Sequence, residues 1–300
     1  MQAFLNLFQY GFVQNAYLAG TVVALVAAIM GYFVVLRAQA FASESLSDIG
    51  LAGAAGAAVF GIGSLIGMFA LTILASLGMG ALGDRLRGRD VEIGMVLSFA
   101  LGLGVLFLTI YSQSGTNATV GVNVLFGSIL SVTRGDVLTT LSTGIATLIL
   151  LAVLFRPLLF ASIDPEVAQT RGIPVRLLSM VFLVLLAITT AEAVLVVGAL
   201  LVLALLVAPA ATALRLTRRP LTSIALSVVL SLTTIWGGLT LAFTGPGSHL
   251  PVGFFVAALA ALFYFGSLPL KRLRHAPRLP EPQKHQHPCN EYSTLPGRGH

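Results

Sequence analysis

Long apolar runs with almost no charge constrain this chain more than any other feature. Between residues 175 and 214 the only charged side chains are Arg176 and Glu192. Runs of 18 or more apolar residues with so few charges are typical of membrane-spanning helices. Of the 300 residues only 9% are charged, against about 25% in an average soluble domain. The sequence therefore predicts an all-α integral membrane protein.

The apolar runs predict eight or nine transmembrane helices. They lie at residues 10–36, 49–62, 65–82, 93–111, 138–160, 178–190, 193–214, 221–243 and 252–270. The second and sixth runs are shorter than the roughly 20 residues that a spanning helix needs, so each is a candidate for an incomplete or re-entrant segment.

The basic residues predict the orientation, because cytoplasmic loops carry an excess of Lys and Arg. They cluster after alternate runs, at residues 37, 85–89, 156–176, 215–219 and 271–274. This alternation predicts an outer N-terminus, a cytoplasmic C-terminus and a location in the cytoplasmic (inner) membrane. It places the outer segments near residues 63, 112–134, 191–192 and 245–251.

Two segments differ in composition, and they divide the chain into residues 1–270, a transmembrane domain, and residues 271–300, a predicted disordered cytoplasmic tail rich in Pro and His. No basic residue precedes the first apolar run, so we expect no cleaved signal. The net charge of +6 arises from short clusters between apolar runs, which argues against a nucleic-acid partner.

The tail offers three soft ligands, but zinc sites usually combine two ligand pairs, so no stable metal site is expected. These ligands are His285, His287 and Cys289.

A short polar segment, SIDPEVAQTRGIPVR at 162–176, carries the signals of a helix lying between two spanning helices. Asp164 is a helix-capping residue, Pro165 suits the first helical position, and Glu166 suits the positive first turn. Gly172 favours a left-handed stop. The pattern predicts a two-turn helix at about 164–172 on the cytoplasmic face. It is either an amphipathic connector or a coupling helix that docks into a partner protein.

Four motifs give the chain a resemblance to a known family. They are MGYFVVLRAQAFASESLSDIGLAGAAGA (30–57), IDPEVAQTRGI (163–173), VGALLVLALLVAPAATA (197–213) and GPGSHLPVG (245–253). Together they resemble the ABC-type permeases that import zinc, manganese or iron(II), over about residues 18–268. The resemblance implies a homodimeric, helical permease, a separate cytoplasmic ATPase and an extracytoplasmic metal-binding protein. It puts zinc first as the cargo, with manganese or iron next.

One departure from the family concerns Asp48, which stands where family members often have a histidine. An oxygen ligand is harder than an imidazole nitrogen, which shifts the preference from zinc toward manganese or iron(II).

The lysine content predicts that ATP is hydrolysed by a partner chain. A phosphate-binding loop needs a lysine in the pattern Gly-x-x-x-x-Gly-Lys-Ser/Thr. The lysines here are Lys271 and Lys284, and neither lies in such a loop. We therefore expect a transport subunit that is no enzyme and binds no cofactor of its own.

Ionisable residues in or beside the apolar runs are the candidates for an ion pathway, since their burial in a membrane is costly. Glu192 leads, with a carboxylate at the outer boundary as its alternative. For Asp48 and Glu92 the alternative is an ion pair with a nearby arginine at the inner boundary. His249 in the last outer segment is a further candidate, with loop packing as its alternative.

Pro209 is predicted to kink a spanning helix, because proline removes one backbone hydrogen bond.

Two other functions stay open from the residues alone. One is a secondary transporter driven by an ion gradient, and the other is an ABC permease for a metal chelate. A membrane enzyme is disfavoured, because the sequence lacks an HExxH helix and a nucleophile elbow.

Overall fold

A computed structural model describes residues 11–82, 89–113, 133–217, 219–244 and 252–274. Within these ranges the regular structure is entirely helical. The helices, numbered along the chain, are α1 (Gly11–Leu36), α2 (Ala40–Val59), α3 (Ser64–Leu82), α4 (Arg89–Gln113), α5 (Arg134–Ile163), α6 (Pro165–Thr170), α7 (Val175–Val197), α8 (Ala199–Leu216), α9 (Pro220–Thr244) and α10 (Val252–Arg274).

The long helices match what a membrane requires. In the described part of the chain, α1, α3, α5, α7 and α9 are long and apolar enough to cross a bilayer. Shorter apolar stretches lie in α4, α8 and α10. The described chain thus has nine long helices and the short α6, which confirms the prediction of an all-α membrane protein with eight or nine spanning helices.

Helix α1 lies at the centre of one half of the bundle, against α5, α7, α8 and α9. Helix α2 packs mainly on α3 and α4. Small residues allow this packing: a Cβ on Gly53 would overlap the carbonyl oxygen of Gly67, and the reverse holds as well. Backbones that approach so closely gain dispersion contacts in lipid, where no hydrophobic effect drives helices together.

The structure corrects one predicted boundary. Residues 191–192 were expected in an outer segment, but α7 continues through Glu192 to Val197. Helix α7 ends instead at Gly198, whose φ of 96° favours glycine. A hydropathy pattern breaks where a charge interrupts it, whereas a helix ends where the backbone changes conformation.

Helix α2 begins at Ala40, before the apolar run expected at 49–62. Its first turns carry serines that hydropathy excludes from a spanning segment. The hydroxyls of Ser43 and Ser45 donate to the carbonyl oxygens of Ala40 and Phe41, at 2.7 and 2.8 Å. These bonds within the helix satisfy the hydroxyls and allow a polar sequence to remain helical in a buried position.

Candidate ion pathway and coupling helix

Two carboxylates share one face of α2. Glu44 and Asp48 are separated by one helical turn, both are half-buried, and they are close enough to interact electrostatically. The buried Oε2 of Glu44 has no hydrogen-bond partner among the described residues. Like charges at this spacing repel each other. A cation bound to both carboxylates would remove that repulsion.

Arg37 contacts two residues of α7. Its guanidinium donates from Nη2 to the Ser179 hydroxyl of α7 at 2.7 Å and lies 5.1 Å from the centroid of the Phe182 ring. Arg37 thus connects the turn between α1 and α2 to the first turns of α7.

The junction of α7 and α8 lies beside the same helix. Ser47, the residue before Asp48, donates its hydroxyl to the Ala199 carbonyl at 3.0 Å. Gly198 and its neighbours are buried, so this turn is covered by protein. Irregular backbone is tolerated at membrane depth only where protein covers it or where it lines a cavity. In transporters, interrupted helices of this kind border cation sites.

Glu192 forms a second buried position, in α7 and close to α1 and α5. It is only 4% exposed, and its Oε1 has no hydrogen-bond partner among the described residues. A Cβ on Gly144 of α5 would lie 4.0 Å from Glu192 Oε2 and 2.8 Å from a methyl group of Val22. Thr140, one turn earlier in α5, also has a buried hydroxyl without a described partner. Glu192 is thus buried among α1, α5 and α7 inside the bundle.

The two carboxylate positions lie on different sides of α7. A Cβ on Gly50 of α2 would be 4.0 Å from Val194 Cγ2, so Val194 faces α2. Residues two apart in a helix point about 160° away from each other. Glu192 therefore points away from α2 and its carboxylates. Among the described residues no three His, Cys, Asp or Glu side chains come together as a metal site.

The predicted helix after α5 is present as α6. Asp164 caps it by accepting a hydrogen bond from the Val167 N–H at 3.0 Å, with Pro165 at its start and Glu166 in its first turn. Gly172 has a φ of 78° and ends the helix in the expected left-handed conformation. Ala168 is fully buried and anchors α6, while Val167 on its other side is exposed.

Pro209 lies inside α8 and is buried. One turn earlier, the backbone of α8 lies close against α1: a Cβ on Gly31 would overlap the carbonyl oxygen of Leu206. Proline supplies no N–H for the carbonyl four residues before it, here that of Leu205. The glycine contact and the missing hydrogen bond thus coincide within one stretch of α8.

The remaining candidates lie outside the described residues. Glu92 belongs to α4, but its side chain lies outside the described residues. His249 and the tail ligands also lie outside them; the latter are His285, His287 and Cys289.

Sequence reasoning missed Glu44, although its spacing of four residues from Asp48 was visible. It also missed Gly144, because no local pattern shows that this glycine faces a carboxylate from another helix.

A polytopic helical bundle with buried carboxylates and a capped helix between two spanning helices defines a membrane transport subunit. Comparison with known proteins gives the family. The family model for the ABC 3 transport family matches residues 9–271, and the chain belongs to this family. It is an ABC transporter permease.

Individual relatives agree with this assignment. The manganese transport system membrane protein MntC of Halalkalibacterium halodurans is 32% identical over 233 residues, which cover 77% of each chain. The high-affinity zinc uptake system membrane protein ZnuB of Haemophilus influenzae is 31% identical over 230 residues, 75% of this chain and 86% of that protein. The solved structure of PsaBC from Streptococcus pneumoniae in complex with Fab has a TM-score of 0.79 at 29% identity, covering 90% of this chain and 97% of that chain.

Proposed function

We propose that this permease imports a divalent transition metal, with manganese as the first cargo, zinc as the second and iron(II) as the third. The relatives named for manganese and zinc support a metal as the substrate class. Within that class the described membrane helices offer carboxylates and no histidine. Oxygen ligands suit manganese better than zinc, so we place manganese ahead of the zinc expected from the resemblance.

The α2 carboxylate pair is the observation that carries this proposal. Neither Glu44 nor Asp48 makes a hydrogen bond or an ion pair with another described residue. Ionisable groups without partners in membrane segments mark ion pathways more often than structural roles. Two carboxylates are enough to hold a cation briefly, and conduction requires binding weak enough for release. Glu192 is the second proposed pathway position, reached by the ion when α5 moves away from α7.

The proposed assembly is a homodimer of this permease with a cytoplasmic ATPase and an extracytoplasmic metal-binding protein. ATP binds to the ATPase, and the permease contributes no catalytic residue. The face of α6 around Glu166 and Val167 docks into the ATPase, and the Arg37–Ser179 contact carries its displacement from α7 to α2. We place the C-terminus and α6 on the cytoplasmic side.

The test of cargo and pathway is uptake of radioactive manganese by cells that express the complete system, with competition by zinc. We expect Glu44→Gln and Asp48→Asn each to lower uptake at least about tenfold, as changes around metal sites usually do. The double variant should be little worse than either single variant, because residues of one site are not additive.

Asp90→Asn is the matched control, since Asp90 is an exposed carboxylate in the first turn of α4. Its uptake should equal that of the wild type at the same membrane abundance. Normal uptake by Asp48→Asn would remove the α2 pair from the pathway. Wild-type uptake of neither manganese nor zinc would refute the cargo.

The coupling role of α6 has its own test. Replacing Glu166 and Val167 with glycine should abolish uptake while ATP hydrolysis continues, because glycine weakens the short helix. Uptake at the wild-type rate by this variant would leave α6 as a connector only.

A further inference from the structure

An apolar groove lies on the surface of the helical bundle, between α5 and α9. Its volume is about 620 Å³, within the range of ligand-binding pockets. Its floor is Ile29 of α1, the helix against which both α5 and α9 pack. The walls are Leu148, Leu151, Ala152, Val153, Phe155 and Arg156 of α5 with Leu221 and Ile224 of α9.

Arg156 is the single charged residue among the lining residues. It makes no hydrogen bond or ion pair with any described residue. The next residue, Pro157, lies inside α5 and has no N–H for the carbonyl of Val153, which also lines the groove. One end of an otherwise apolar groove therefore holds an unpaired cation close to a backbone acceptor that lacks its helical donor.

The charged side chains of α5 and of the start of α9 that lie nearest this end are basic. Arg219 is exposed and lies two positions before Leu221 of the groove wall. The first turn of α9 contains no acidic residue. An occupant must therefore be anionic at this end and apolar along the rest of its length. A second copy using the same face is disfavoured, because a two-fold interface places identical surfaces together and would bring two such basic ends close to each other.

We propose that the groove binds an anionic phospholipid, with its phosphate on Arg156 and one acyl chain along α5. The charge pattern assigns this end of α5 to the cytoplasmic side, where anionic lipids attract basic residues near the membrane surface. The lipid fixes α5 against α9 and so covers the bundle beside α1. This site is independent of the identity of the transported metal.

The experiment measures lipid binding to the purified permease by native mass spectrometry and by thermal unfolding. The permease in detergent is titrated with phosphatidylglycerol, with phosphatidylcholine and with inorganic phosphate. We expect tight binding and a raised unfolding temperature with phosphatidylglycerol alone. Arg156→Gln should weaken that binding about tenfold, equivalent to about 1.4 kcal/mol, whereas Arg156→Lys should keep most of it.

Arg134→Gln is the matched control, because Arg134 is an exposed arginine at the opposite end of the same helix. It removes the same charge and should leave lipid binding unchanged. A second variant, Ala152→Phe, keeps the charge and fills the groove, and it should reduce phosphatidylglycerol binding to a similar extent. Ala152→Phe also tests the proposal if the Arg156→Gln variant does not fold.

Three results would overturn the proposal. The first is equal binding of phosphatidylglycerol by wild type, Arg156→Gln and Ala152→Phe. The second is competition by inorganic phosphate, which shows an anion site that does not use the groove. The third is a change in oligomeric state in Arg156→Gln with no change in lipid binding, which shows that a second copy covers this face.

Discussion

The cap of α6 is the most direct place to test coupling, because its contribution can be isolated with a single substitution. Helix α6 has six residues, and a helix of that length is not stable by itself in water. It is held by the buried side chain of Ala168 and by the bond of 3.0 Å from the Val167 N–H to Asp164 Oδ1. Asp164→Ala removes this bond and leaves the rest of the helix unchanged.

The magnitude follows from the capping bond. Replacing an aspartate cap with alanine costs about 1 kcal/mol, and a change of that size lowers an equilibrium constant about fivefold. If the ATPase binds only the folded α6, its apparent affinity for the permease should fall by up to about fivefold in Asp164→Ala. Asp164→Asn keeps an oxygen acceptor and should cost less than about twofold, through the weaker interaction with the helix dipole.

The assay measures metal-stimulated ATP hydrolysis at increasing ATPase concentration, with a fixed amount of permease in lipid nanodiscs. The half-saturating ATPase concentration is the quantity that should rise. The maximal rate should stay unchanged, because saturating ATPase restores the folded helix. A loss of affinity in Asp164→Asn as large as that in Asp164→Ala would contradict capping as the cause, and no change in either variant would contradict docking on α6.

Three further changes test the bundle. Glu192→Gln keeps the size of the side chain and removes its charge, so radiometal uptake should fall several-fold at unchanged membrane abundance; uptake equal to that of the wild type would remove Glu192 from the pathway. Pro209→Ala restores an N–H inside α8 and should slow transport by stiffening the helix; a wild-type transport rate would show that the proline is merely structural. Gly31→Ala forces a methyl group against the Leu206 carbonyl and should cost about 1–3 kcal/mol of stability, measured as a lower unfolding temperature; an unchanged temperature would show that α1 and α8 separate easily.

The sequence predicted the membrane class, the number of long helices and α6, because each depends on local signals. Apolar runs determine which segments enter the bilayer, and a cap, a proline and a glycine determine a short helix. The turn at Gly198 was missed because the residues around it are as apolar as the helices themselves. Because Glu192 interrupts the apolar run, the helix boundary was predicted at residues 191–192, whereas α7 ends at Val197.

The arrangement of the candidate site could not be predicted in the same way. Asp48 and Glu192 are both carboxylates in membrane helices, and local sequence gives no direction to either side chain. The direction of Glu192 depends on which face of α7 meets α2, a contact between Gly50 and Val194. Such contacts form between residues that are distant in sequence. Local patterns of apolar, charged and capping residues do not show which of these residues meet.

The buried turn at Gly198 has a practical consequence for mapping the membrane topology. Reporter tags and cleavage sites are placed in connections between spanning helices, because exposed loop tips tolerate insertions. The connection between α7 and α8 is one buried residue with a φ of 96°, next to the Ser47 contact with Ala199. An epitope inserted there would separate α7 from α8 and disrupt the buried contact between Ser47 and Ala199. Labelling at this position would therefore report a damaged protein, and the sidedness of this pair of helices is better read from tags after Leu216 or before Val175.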